Sequence, residues 1–187
     1  MYFHKLFLTS CLAFSFLHAQ SEIGLDINSD DLEILGTLHI NSSSQYSNET
    51  IYLIDASYLR TDGDNMLSLG IRGENTFQGL EGLALSFGAK TILANDFMAL
   101  PLFAKAIFTL PLAENIPQTS LITSFAYAPN ILSFSDAESY REFKVEADME
   151  MISNIHLFAG YRNIDTEYAT YDKTFNNSFY GGMKLSF

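Results

Sequence analysis

The sequence predicts an all-β protein, an antiparallel up-and-down transmembrane β-barrel of eight to ten strands behind a cleaved export signal. Three observations predict it. Apolar and polar residues alternate with period two through most of the chain, the pattern of strands with two different faces. No segment beyond the amino-terminal apolar run approaches 18 consecutive apolar residues, the length a spanning helix needs. The last residue is the aromatic Phe187, with alternate apolar residues before it.

The amino terminus reads as a secretory signal peptide over residues 1–19. Lys5 is its one charge, Leu6 to Leu17 its apolar core, and Ala19 the small residue before the cut. A second reading takes Leu8-Thr9-Ser10-Cys11 as a lipoprotein box with Cys11 lipidated, but it leaves only a few apolar residues ahead of the cut. With cleavage after Ala19 no cysteine remains, which excludes disulfides and thiol chemistry. Residues 20–187 then form a single domain. The formal charge of −12 becomes −13 without Lys5, and that acidity excludes nucleic acid as a partner.

Alternation is strictest from Arg141 to Met151. Phe143, Val145, Ala147, Met149 and Met151 fall on one face; Glu142, Lys144, Glu146, Asp148 and Glu150 fall on the other. Weaker alternation centres on Leu67–Arg72, Leu83–Lys90, Leu102–Thr109, Leu121–Tyr127, Ile155–Arg162 and Phe179–Phe187. Turn residues separate these runs at Thr61–Asn65, Asn75–Gly82, Ala94–Asp96, Pro111–Ser120 and Pro129–Glu138. Thr166–Asn177 reads as the longest polar loop of the carboxy-terminal half. Eight strands count back from Phe187 to about Ile51. Ile23–Asn28 and Leu32–Ile40 bring the number to ten and are the weakest; eight, with that hairpin outside the wall, is the alternative. An even number puts both termini on the periplasmic side.

A secreted β-sandwich would alternate too. The charges favour a membrane wall. Nine Lys and Arg follow the signal, and Arg72, Lys90, Lys105, Lys144, Arg162 and Lys184 all sit on the less apolar strand face. A charge near the lipid midplane costs about 2–4 kcal/mol, so these six point into the lumen. Asp55, Glu142, Glu146, Asp148 and Glu150 share that face, giving a network of paired charges that is expected to link the Glu142–Glu150 strand to Arg162 next door and to Lys90, Lys105 or Arg72 across the lumen. Phe187 and its alternating strand form the signal that the outer-membrane assembly machinery reads.

From Phe125 onward the chain carries recognisable pieces: Phe125-Ala126-Tyr127-Ala128-Pro129, Ser139-Tyr140, and Ala159-Gly160-Tyr161-Arg162. Leu83 to Leu93, with Gly88 and Lys90, and the terminal strand belong to the same set. In their order and spacing these resemble the YfaZ family of bacterial outer-membrane proteins, over about Asp55 to Phe187. Asn41 to Glu49 lengthens the chain relative to that pattern. The resemblance implies an outer-membrane barrel and brings no catalytic residues with it.

The residues themselves suggest little chemistry. His39 and His156 lie on different strands without ligand spacing. A lipid-modifying enzyme would need His156 beside Ser153 or Ser186. The carboxylates of Glu142–Glu150 are spaced like an acid/base set, but Lys144 among them points to salt bridging. Acidic residues assigned to outward loops, from Asp62 and Asp64 through Asp96, Asp136, Glu138, Asp165 and Glu167 to Asp172, suit either a solvated rim or divalent cations bridging lipopolysaccharide. The sequence therefore predicts a monomer without cofactor or metal, in contact with outer-membrane lipid and lipopolysaccharide. Its expected role is structural or surface-interactive. A narrow pore for small solutes is the second reading, and a lipid-modifying enzyme the third.

Overall fold

The computed structural model describes residues 21–40, 50–113, 116–169 and 171–187. The expected signal peptide with Cys11, and the segment Asn41 to Glu49, lie outside the described residues.

Twelve hydrogen-bonded segments follow in chain order: β1 (Glu22–Ile27), β2 (Asp31–His39), β3 (Ile51–Thr61), β4 (Asp64–Thr76), β5 (Leu83–Ala94), β6 (Phe97–Ala99), β7 (Leu102–Thr109), β8 (Thr119–Ala128), β9 (Ser133–Ser135), β10 (Ala137–Ile152), β11 (Ile155–Tyr168) and β12 (Asp172–Ser186). Every pairing is antiparallel, and β1 pairs with β12 to close the sheet on itself. Against β5, Ala99 of β6 faces Ile92 and Leu102 of β7 faces Ala89, one unbroken register. β6 and β7 are therefore one wall strand, interrupted at Pro101, which has no N–H for the ladder. β9 likewise continues β8 past a single 3₁₀ turn (Asn130–Leu132) and pairs with β6 above the point where β8 pairs with β7. The wall has ten strands, so the higher of the two counts holds, and the weakest candidates are full members of it.

The polar stretch Thr166–Asn177 is not a loop. β11 runs to Tyr168 and β12 starts at Asp172. Thr166 faces Lys173 across the ladder, and Thr174 Oγ1 donates to Asp165 Oδ1 at 3.1 Å. A strand that stands clear of lipid can carry polar residues on its outer face, so composition there imitates a loop. For the same reason Asp64, Glu138, Asp165, Glu167 and Asp172 lie on strands rather than in loops.

The pairing also sets the tilt. A path perpendicular to the strands runs Ala94, Met66, Leu59, Glu33, Asp26, Gly182, Phe158, Asp148, Ser120, Thr109. It returns to the chain just before β5 at Gly82, whose carbonyl accepts the Thr109 N–H, so the stagger from Ala94 to Gly82 is 12 residues. With 3.3 Å per residue and 4.8 Å between strands, ten strands then tilt by about 40°.

Outward positions are apolar around the whole circumference. Ile34, Leu69, Phe87, Leu121, Val145 and Leu157 all stand exposed on the outer wall. Tyr58, Tyr127, Tyr161 and Phe179 ring the end away from the termini, with Tyr161 and Phe179 ring centroids 5.3 Å apart. This is the apolar band and aromatic girdle of a membrane barrel.

Candidate functional site

Inward positions of the ten strands fill the lumen in three layers. In the lower layer, toward the termini, Arg72 Nε donates to Asp55 Oδ2 at 2.7 Å, and its Nη1 meets Glu74. Across the lumen Lys184 joins Glu146 and, at 3.1 Å, Asp148. The other oxygen of Asp148 meets His156 Nδ1 at 2.7 Å. No hydrogen bond from Ser153 or Ser186 to His156 exists among the described residues. His39 and His156 share no ligand cluster among the described residues.

The middle layer is denser. Lys90 Nζ donates to Glu142 Oε2 at 2.6 Å, and the Tyr140 hydroxyl donates to the same oxygen. Lys144 lies 3.5 Å from Glu33 and 3.6 Å from Glu142. Arg162, with 0 % of its surface exposed, meets Glu33, Asp26 at 3.4 Å and Asp31 at 3.8 Å. Its Nε donates to Asn176 Oδ1 at 3.0 Å, and Asn176 Nδ2 donates to Asp31 at 2.8 Å. Charges this deep require such pairing.

Two glycines make room for the rings beside these cations. A Cβ on Gly182 would come within 2.6 Å of the Phe158 ring, and one on Gly160 within 2.8 Å of the Tyr180 ring. The rings occupy those notches. Lys184 Nζ stands 4.4 Å from the Phe158 centroid, and the Arg162 guanidinium 5.0 Å from that of Tyr180.

The upper layer is apolar. Leu59, Met66, Ile92, Phe97, Tyr140, Ile164, Tyr168 and Phe175 form a buried cluster, with Leu132 packed on it. Phe97 is central, its ring 5.2 Å from Tyr168 and 6.2 Å from Tyr140. β6 places it there by register: Ala99 faces the buried Ile92 on β5, and Phe97, two residues away, shares that inward face. Above the cluster Lys173 of β12 reaches Asp64 of β4 across the mouth. That pair is about one-third exposed on each side, so Asp64→Asn should cost under about 1 kcal/mol in urea unfolding of the refolded protein.

The face predicted from alternation is the inward one. Glu142, Lys144, Glu146, Asp148 and Glu150 point in, while Phe143, Val145 and Met149 stand exposed outside. Several pairings differ from expectation. Arg162 does not bridge to the Glu142–Glu150 strand; its carboxylate partners are on β1 and β2. Arg72 stays with its neighbours rather than crossing the lumen. Glu150 forms no ion pair among the described residues and accepts the Asn154 N–H at 3.2 Å. Lys105 has no ion-pair partner among the described residues; it faces a cavity of about 170 Å³ that Asp55, Glu146, Ser124 and Phe103 help to line.

Asp26, Asp31, Glu33 and Glu74 were not identified from sequence. Their signal was present. Asp26 sits between Leu25 and Ile27, and Glu33 between Leu32 and Ile34; an acid between two lipid-facing residues must point inward.

The family model described as YfaZ precursor matches residues 103–187. Over those residues the chain is similar to the YfaZ family. The matched stretch runs from β7 to β12 and holds the Phe103 and Lys105 wall, the Glu142–Glu150 strand, Arg162 and Lys184. With the apolar belt, the match makes this chain an exported outer-membrane β-barrel protein. Among solved structures, one described as a bacterial polysaccharide outer membrane secretin shares 10% identity at a TM-score of 0.49, over 89% of this chain and 69% of the other. One described as the KdgM porin shares 6% identity at a TM-score of 0.44, over 90% and 99% respectively. No curated protein matches the chain in sequence.

Proposed function

We propose that this barrel is a non-conducting element of the outer membrane, with a structural or surface-presenting role in the cell envelope. The observation that carries this reading is the filling of the bore at the end away from the termini. There Phe97, Tyr140, Ile164 and Tyr168 pack over the layer of Arg162, Lys144 and Lys90 ion pairs. A barrel of eight to ten strands is barely wide enough to hold such side chains, and the gap remaining between the two layers is about 20 Å³, room for about one water molecule. The cavity at Lys105 is the feature a narrow pore would use, but it ends beneath this double layer. The upper ends of β10, β11 and β12, which rise past the aromatic girdle, form the surface-presenting part.

Purified full-length protein in planar bilayers at neutral pH is expected to show no discrete current steps. Reproducible ion-selective steps would put the pore reading in first place.

A further inference from the structure

The outer wall carries only two basic side chains among the described residues, Arg60 on β3 and Arg141 on β10. The other basic side chains from Arg72 to Lys184 turn inward or across the mouth. We infer that Arg60 and Arg141 form two sites for the phosphate of a lipid headgroup, on opposite sides of the barrel at one membrane level.

Their equal height follows from the stagger. Arg60 is one residue above Leu59 on the perpendicular path, and Arg141 is seven above Asp148. Between β3 and β10 that path sinks by about 15 Å at a tilt of about 40°. The six additional residues by which Arg141 stands above it recover about 15 Å. Five strand steps in a ten-strand wall place the two on opposite sides.

Each arginine has hydrocarbon-facing residues directly beneath it. Below Arg141 on the outer face come Phe143 and Val145, with Phe125 and Tyr127 on the neighbouring strand. Tyr58 lies below Arg60, and Leu32 faces Arg60 across the ladder. An anion held there stands on the acyl region, so its source is the lipid itself. The guanidinium donors are available. Arg141 is 56% exposed and makes one 3.4 Å contact with Asp165, and Arg60 has no ion pair with any described residue. Guanidinium binds phosphate through two parallel N–H donors. At the interface, unlike the midplane, an outward arginine costs only about 0–1 kcal/mol, so such a contact is enough to hold it.

The test is distance-dependent NMR dephasing between guanidinium nitrogen-15 and phosphorus-31. The full chain would carry labelled arginine and be refolded into phosphatidylethanolamine vesicles containing lipid A. After the signal only four arginines exist: Arg60, Arg72, Arg141 and Arg162. The inward pair cannot reach a headgroup and provides the internal blank. Dephasing is expected in the parent. Arg60→Gln and Arg141→Gln should each remove one contribution, and the double variant should lose the signal. Persistence of the signal in the double variant, or none in the parent, overturns the inference. Dephasing that appears only when inorganic phosphate is added to the buffer also overturns it, since the site would then take a free ion. The result does not depend on whether the lumen conducts.

Discussion

Replacing Arg162 by Met will destabilise the folded barrel by about 3–5 kcal/mol, among the largest single-residue effects expected in the lumen. Arg162 is completely buried, and Asp26, Asp31 and Glu33 converge on it from β1 and β2. Without the guanidinium, buried carboxylates on two adjacent strands are left facing one another. Part of the damage falls on closure, because β1 is the strand that seals the barrel against β12. Breaking a buried pair costs far more than replacing both members with apolar groups. Glu33→Leu combined with Arg162→Met should therefore recover part of the loss. Urea unfolding of vesicle-refolded protein, followed by the gel shift between folded and unfolded forms, measures both variants. An unchanged midpoint for Arg162→Met would remove Arg162 from its central place in the network.

Opening the bore needs both closing layers to be thinned together. The variant Phe97→Ala, Tyr140→Ala, Lys90→Ser, Glu142→Ser removes the centre of the apolar cluster and one complete ion pair beneath it. Taking Lys90 and Glu142 as a pair leaves neither charge unmatched. The cavity at Lys105 would then continue through to the far mouth, past the Lys173–Asp64 bridge. Discrete current steps are expected in planar bilayers, against silence for the parent. Each aromatic truncation costs about 3–5 kcal/mol, so the gel shift must first confirm that the variant is folded. A folded variant that stays silent would mean that another part of the lumen closes the bore.

Much of this architecture was legible one strand at a time. A side-chain period of two decides which residues share a face, and the cost of a charge in lipid decides which face turns inward. From these two rules the inward placement of Glu142–Glu150, Arg72, Lys90, Arg162 and Lys184 follows without coordinates. The ends of strands were harder. Polar residues at 166–177 satisfy loop composition and strand composition equally, because above the belt neither face is obliged to be apolar. β6 and β9 were hidden for a related reason: three-residue segments beside Pro101 and Pro129 carry no period to read.

The sequence by itself determined the fold class, the membrane-facing side of each strand and the residue types that fill the lumen, since these depend only on local alternation and on the free energy of placing a group in lipid or water. Only the tertiary structure decided the partners. Whether Arg162 meets β10 or β1 and β2, whether Lys105 finds a carboxylate, and whether Phe97 covers the bore depend on the 12-residue stagger. That stagger is summed over all ten strand pairings, and no single strand encodes it.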